Sequence, residues 1–442
     1  MKSIRFYLTL VIARMIYLAI KLLNKSSGTS FVGMVTLKLC PHFLAYCREY
    51  VKYAITITGT NGKSTSSGIL AHIIDANKCK VVHNLKGANM LTGVANMFAL
   101  CGIPFNSFDY AVIESDEAYL NKVYDDFKAD CLLVTNLFND QVDRYANVSE
   151  TAAYIQKAID KNPDVQLLLN ADDPVVSNFG KDKSALYFGF EDVQYCSESY
   201  QGDVNFGKYD CVCGKSLVYT KQFLAQEGHY VCEVCGYKRP EPDFKGYAKI
   251  YADYSEIRVV YKDKEYDFRV NLIGLYNAYN ALAAVSNALL LNIDYEVIKN
   301  ALLSYKTAFG RSEKTVINGH DAVIQLIKNP AGASEVLKTV DLNSNILIGI
   351  NNNIADGTDI SWLWDTDFSR LKKAKGLLVT SGIKAKDMAK RLVDAGVNEN
   401  KIIIEEDVQK AVEIVAGSDN KAAKVTILPS YTVLMKLSRM KF

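Results

Sequence analysis

The run from Ile55 to Thr65, Ile-Thr-Ile-Thr-Gly-Thr-Asn-Gly-Lys-Ser-Thr, has the residue types and spacing to hold nucleotide phosphates. Gly59 and Gly62 let backbone N–H groups close around phosphate oxygens, and a helix opening at Lys63 adds partial positive charge there. Lys63 would reach the terminal phosphates and the Ser64 hydroxyl would hold Mg²⁺. The pattern G-x-x-x-x-G-K-[ST] is incomplete, because Ile57 stands where its first glycine belongs. The candidate loop is therefore Gly59, Thr60, Asn61, Gly62, Lys63, Ser64 and Thr65.

Other side chains could serve the same ligand. Glu114 closes an apolar run in Val-Ile-Glu-Ser-Asp-Glu, where a nucleotide-bound Mg²⁺ needs an oxygen ligand. Three acids so close together also suit a solvated loop. Asn136–Arg144 is dense in hydrogen-bonding side chains, as a pocket would be, although Asn139 or Asp140 could simply cap a helix. Asn277 and Asn280 stand three apart on one face of an Ala-rich helix, able to bond a base or each other. Arg311 offers a planar fork for phosphate.

Cys211-Val-Cys213-Gly and Cys232-Glu-Val-Cys235-Gly form two pairs on glycine-terminated turns, the arrangement of a tetrahedral Zn²⁺ site. Four thiolates leave no position for water, so such a site is structural. Ala355–Trp362, followed by Asp365 and Asp367, joins an Asp-Gly turn signal to an acidic stretch bearing one of only two tryptophans.

These groups need a scaffold. Apolar runs at Ala54–Thr58, Lys80–His83, Tyr110–Glu114, Cys131–Thr135, Gln166–Asn170 and Ala185–Phe188 alternate with helical patterns such as Thr151–Asp160. That alternation predicts a mostly parallel sheet covered by helices, with ligands beyond the strands' carboxyl ends. A polar, Tyr-rich stretch over 191–247 interrupts it and carries the cysteines. β-type runs return at Lys249–Tyr261 and Tyr266–Ile273, and a second α/β series begins near Ser312.

At 442 residues, 49% hydrophobic and 23% charged, the chain reads as a soluble globular protein of several domains. A net charge of +2 gives no electrostatic footprint for nucleic acid. The cysteine usage fits a reducing cytosol with one metal site. Phe6–Leu23 is almost wholly apolar, but Arg14 and Lys21 interrupt it, so it falls short of a span of about 20 residues. It reads as a core or interfacial amphipathic helix.

Taken together, the chain resembles the ATP-dependent Mur ligases, and more narrowly the branch of that family that amidates lipid II. The motifs are Thr58–Thr65, Lys86–Met90, Glu114–Glu117, Asp140–Arg144, Asn170–Pro174, Tyr276–Ala281 and Gly310-Arg311. The cysteine ribbon, Lys328–Gly332 and Ala355–Trp362 with Asp365–Phe368 belong to the narrower branch. The resemblance implies an N-terminal helical segment (1–48), a central ATP-binding domain with a P-loop-type parallel sheet (49–312, with a Cys₄ zinc ribbon at 196–245), and a Rossmann-like α/β domain (313–442).

By the same resemblance, ATP activates the α-carboxylate of D-isoglutamate in the lipid II stem peptide as an acyl phosphate, and ammonia converts it to D-isoglutamine. Catalytic roles fall to Lys63, Glu114 and Asp359. Glu114 and Ser64 would ligate Mg²⁺, Asn277 would contact the nucleotide and Arg311 its phosphates. The chain has no Gly-x-Cys-x-Gly elbow of its own. A glutaminase subunit of the GatD type would supply ammonia in a heterodimer, with Asp359 completing its Cys-His pair. The resemblance implies a cytoplasmic location with peripheral contact at the inner membrane face, and no nucleic acid is expected.

Three departures stand out. The first cysteine pair is Cys-x-Cys, which leaves Cys211 and Asp210 as alternatives for the first zinc ligand. Asn139 stands where relatives carry Arg, and the N-terminal helix is unusually apolar. Two competing readings remain: a Mur or folylpolyglutamate-type ligase adding an amino acid, and a zinc-ribbon scaffold or nucleic-acid adaptor. The first wants Asp-x-Ala-His-x-Pro where the chain has Leu326-Ile-Lys-Asn-Pro330; the near-neutral charge opposes the second.

Overall fold

The computed structural model describes residues 4–22, 29–84, 88–138, 148–196, 209–251, 253–306, 311–417 and 424–440. Val51–Thr58 (β1) is buried from Ala54 to its end, as befits a strand covered on both faces. It lies inside a nine-stranded sheet. From one edge the order is β11 (Lys264–Val270), β10 (Ser255–Tyr261), β9 (Phe244–Ile250), β6 (Ala185–Tyr195), β5 (Gln166–Asn170), β4 (Cys131–Val134), β1, β3 (Phe108–Glu114) and β2 (Val81–His83).

From β9 to β2 every pairing is parallel, and only β9-β10-β11 is antiparallel. The run Lys249–Tyr261 is therefore not one strand. It breaks at Tyr251–Tyr254, where the Tyr251 N–H donates to the Tyr254 carbonyl at 3.0 Å and reverses the chain. Strand order reverses beside β1, which is where an open parallel sheet leaves a ligand crevice.

Two apolar cores cover the sheet. One packs helices Lys63–Ala76 and Leu275–Leu290 on one face. The other packs Ile4–Leu22 and Leu91–Leu100 on the opposite face. Helix Thr29–Leu39 crosses Leu91–Leu100 so closely that a Cβ on Gly33 would come within 1.7 Å of the Thr92 carbonyl oxygen.

A second sheet has the order β12 (Arg311–Ile317), β13 (His320–Gln325), β17 (Val425–Pro429), β14 (Asn345–Gly349), β15 (Leu378–Ser381) and β16 (Ile402–Ile404). Only β12 is antiparallel to its neighbour. Between β6 and β9 the chain makes a small hairpin, β7 (Val218–Leu224) with β8 (Glu227–Val231), attached to the cysteine turns. No helix among the described residues is long and apolar enough to cross a membrane.

Candidate active site and cysteine ribbon

The phosphate loop leaves β1 and enters helix Lys63–Ala76 through two glycines with positive φ, Gly59 at +127° and Gly62 at +85°. Gly62 has no alternative, because a Cβ there would lie 2.0 Å from Asn280 Oδ1. The loop is braced by the end of β4. Thr60 N donates to the Asn136 carbonyl at 2.8 Å, and Asn61 N donates to Asn136 Oδ1 at 2.9 Å. Thr135 Oγ1 donates to the Asn61 carbonyl at 2.8 Å, and Phe138 N donates to Thr60 Oγ1 at 3.1 Å.

Lys63 Nζ donates to the Thr60 carbonyl at 3.3 Å and to Glu117 Oε1 at 3.0 Å, with a further bond to the Gly59 carbonyl. Burial opposes the ammonium charge. The carboxylates of Glu117, Asp116 and Glu114 outweigh that opposition and hold the lysine above its ordinary pKa, so it stays a cation.

Glu114 is buried at the end of β3. Asn84 fixes its backbone on both sides, accepting from Glu114 N at 2.8 Å and donating to its carbonyl at 2.7 Å. Asn89 Nδ2 donates to Glu114 Oε1 at 3.3 Å. Nearby, His83 Nε2 lies 3.0 Å from Ser67 Oγ. Desolvation lowers the His83 pKa despite the pull of Glu114. The carboxylates of Glu114 and Glu117 thus converge with Lys63 at the carboxyl ends of β1 and β3, a set able to hold a phosphate chain with its divalent cation.

Asn277 and Asn280 bond each other, Asn280 Nδ2 to Asn277 Oδ1 at 3.2 Å. Both are buried at the loop-facing start of their helix. The side chain of Arg311, the neighbouring Gly310, Lys86-Gly87 and the stretch Asn139–Arg144 lie outside the described residues. The backbone of Arg311 opens β12 opposite Gln325.

Two contributors escaped sequence reasoning as site residues. Asn329, N-cap of helix Pro330–Thr339, accepts from Gly332 N at 2.9 Å and donates from Nδ2 to Asn61 Oδ1 at 3.1 Å. This ties the second sheet's domain to the phosphate loop; the Asn-Pro helix-start signal was its visible trace. Gln226, at the tip of the β7-β8 hairpin, donates to the Leu137 carbonyl at 2.6 Å and to Asp173 Oδ2 at 3.0 Å. Asp173 in turn accepts from Leu137 N at 2.8 Å. No local signal marks Gln226.

The hairpin is anchored further. Glu227 Oε1 accepts from Asn170 Nδ2 at 2.9 Å, and Asn170 also donates to the Thr135 carbonyl at 2.9 Å. Burial lifts the Glu227 pKa well above its ordinary value, with Asp173, Asp172 and Glu335 adding to the lift. Arg239 Nε donates to Asp172 Oδ1 at 2.6 Å, while Tyr279 OH donates to Oδ2 at 2.8 Å.

At the other end of the hairpin the four thiols meet. Sγ atoms of Cys211, Cys213, Cys232 and Cys235 lie within 4.8 Å of one another. Cys211 and Cys235 are 3.6 Å apart, and Cys213 and Cys232 are 3.7 Å apart. A tetrahedron with Zn–S bonds of about 2.3 Å has edges of about 3.8 Å, so the donor set fits such an ion. Each turn closes on its glycine: Gly214 N donates to the Cys211 carbonyl at 2.8 Å, and Gly236 N to that of Cys232 at 2.9 Å. Cys211 belongs to the cluster. Asp210 does not, and instead accepts from Ser216 Oγ at 3.2 Å.

In the loop after β14, Asp356 is buried and accepts from Thr432 Oγ1 and from Asn353 N. That bond set fastens the loop to the first turn of helix Tyr431–Leu437, which follows β17. Asp359 lies nearer the surface, taking Ser361 N at 2.8 Å and Ser361 Oγ at 2.7 Å.

Residues 57–220 match the Mur ligase middle domain, and residues 326–434 match the MurT ligase C-terminal domain. The chain is 33% identical over 412 residues to the lipid II isoglutaminyl synthase (glutamine-hydrolyzing) subunit MurT of Staphylococcus aureus, covering 92% of this chain and 91% of that one. The chain belongs to the MurT family. The Streptococcus pneumoniae MurT subunit is 30% identical, with the same coverage of each chain.

Among solved structures, a pseudomurein peptide ligase type C from Methanothermus fervidus superposes with a TM-score of 0.69. It is 22% identical and covers 88% of this chain and 79% of its own. MurF ligase from Thermotoga maritima in complex with ADP superposes with a TM-score of 0.62 at 14% identity, covering 90% and 82%. The fold is thus that of the Mur ligases, and MurT membership makes the chain a ligase of that ATP-dependent group.

Proposed function

We propose that this chain is the synthetase subunit of a lipid II isoglutaminyl synthase. ATP phosphorylates the α-carboxylate of D-isoglutamate in the lipid II stem peptide. Ammonia attacks the acyl phosphate, expels inorganic phosphate and leaves the carboxamide of D-isoglutamine. The reading rests on one observation: similarity to synthase subunits of that name runs through 92% of the chain.

Within it, Lys63 neutralises charge on the transferred phosphoryl group. Ser64 and Glu114 hold Mg²⁺, Asn277 contacts the nucleotide and Arg311 its phosphates. Cys211, Cys213, Cys232 and Cys235 hold a structural Zn²⁺. The domains divide as 1–48, 49–312 with the ribbon at 196–245, and 313–442.

Ammonia comes from a glutaminase subunit of the GatD type, docked where Asp359 completes its Cys-His pair by orienting the histidine. Ile354, 84% exposed on the same loop, supports a protein contact there. ATP and lipid II place the reaction in the cytoplasm, at the inner membrane face. The test is phosphate release by the purified complex. Release that requires lipid II together with glutamine or ammonia supports amidation; release that requires an added amino acid instead overturns it.

A further inference from the structure

Helix Ile4–Leu22 is apolar on two opposite faces. Phe6, Leu10 and Ala13 are buried in the core beneath it. On the other side Ile4, Leu8, Val11, Met15, Leu18 and Leu22 recur at helical spacing, and each is more than half exposed. That spacing makes one continuous stripe along the helix. Phe31 and Met34 on the adjoining helix Thr29–Leu39 add to it, each 51% exposed. Water-exposed apolar area of this extent marks a binding surface rather than ordinary scatter.

The stripe is presented rigidly. Arg14 Nε donates to the Ala99 carbonyl at 3.2 Å and its guanidinium also reaches the Ile103 carbonyl. Arg5 holds the Leu39 carbonyl. Two residues beyond Ile103 stands Phe105, 87% exposed. The helix is pinned by its flanks with the apolar side outward.

Charge selects the occupant. Every charged side chain from residue 1 to 48 is basic, although the whole chain carries nearly equal numbers of acids and bases. A second copy would bring like charges together. Anionic headgroups complement them, while the apolar side chains enter the acyl boundary. Arg14 and Lys21 rule out a span, and the helix is suited to lie in the interface plane.

We propose that Ile4–Leu22, with Phe31 and Met34, docks the protein on an anionic lipid surface. This deepens the functional reading, because helix Thr29–Leu39 packs on Leu91–Leu100, which follows directly from the Asn89 that touches Glu114. Docking through this face holds the catalytic crevice one helix layer from the bilayer that carries the substrate.

Vesicle flotation of the full chain with its glutaminase partner tests it, using phosphatidylcholine alone and phosphatidylcholine with phosphatidylglycerol. No lipid II is included, so the outcome is independent of the amidation reading. Wild type should float with the anionic vesicles, at least about tenfold more than with neutral ones, and 0.5 M salt should reduce the binding. The double variant Met15→Glu/Leu18→Glu should lose it at least tenfold with an unchanged unfolding temperature, since both residues face water. Flotation by the variant equal to wild type overturns the proposal. So does wild type staying with the protein fraction, whether because the stripe pairs two copies or because the glutaminase covers it.

Discussion

Asn329 and Asn61 join the two large domains by one hydrogen bond, Nδ2 to Oδ1 at 3.1 Å, and Asn61 belongs to the phosphate loop. The same Asn329 side chain caps its own helix through Gly332 N. One residue therefore senses the loop and starts a helix of the second domain.

Replacing Asn329 with Ser separates these duties. Serine is a good cap but is too short to reach Asn61. ATP affinity should weaken about three- to tenfold, corresponding to a hydrogen bond of about 1 kcal/mol. The unfolding temperature should stay near that of wild type. Combining it with Asn61→Ala in a double-mutant cycle should give less than the sum of the single effects, read by calorimetric titration of the nucleotide.

Lys63→Met should lower phosphate release by about 10²–10³-fold, the usual cost of losing one preorganised electrostatic group. The fold should survive, because the methionine keeps the stem that packs inside the loop. Thermal unfolding of the variant checks that point.

Cys232→Ser should abolish stoichiometric zinc, measured by elemental analysis of the purified chain. The β7-β8 hairpin would slacken and withdraw the Gln226 bonds from Leu137 and Asp173. ATP affinity should then fall about tenfold, within the range of about 1–3 kcal/mol for leaving buried polar groups unpaired. Gln226→Ala should reproduce the affinity loss with the zinc retained.

Glu227 makes stability depend on pH. Its carboxyl is lifted well above 4.5 by burial, so the folded chain prefers the neutral acid. The associated stabilisation is complete below the unfolded pKa and is lost as pH rises through the folded one. Glu227→Gln keeps an oxygen for Asn170 and cannot ionise. As pH rises from acid to alkaline, denaturant unfolding should show the variant gaining stability relative to wild type, and no such gain on the acid side.

Asp359→Asn should leave ammonia-driven amidation intact and lower glutamine-driven amidation by about 10²-fold or more, as losing the orienting carboxylate does in other triads. Equal loss with both nitrogen sources would remove Asp359 from the partner's chemistry.

The parallel strands β1 to β6 of the central sheet were legible because strands buried on two faces read as largely apolar runs, as Cys131–Thr135 does; β12, and most of β9 inside the polar, Tyr-rich stretch, were not. The loop at 59–65 was legible because its chemistry is local. The question left open at Asn277 and Asn280 needed coordinates, since a base and a neighbouring amide demand the same side chain; the structure shows them bonded to each other. Gln226 and Glu227 could not be found from sequence. A polar pair at a hairpin tip ordinarily faces water, and only the return of the hairpin onto the ends of β4 and β5 buries them. The break inside Lys249–Tyr261 was hidden by tyrosines, which suit strands and turns alike.

The brace on Asn61 also governs when the loop can first exist. Its partners lie 75 and 268 positions further along the chain, at Asn136 and Asn329. Contacts so distant in sequence form late, and domains fold in turn as the ribosome delivers them. A nascent chain that has not reached residue 329 lacks the second of these braces on its phosphate loop. The loop's full set of braces is thereby complete only once the C-terminal domain has been made.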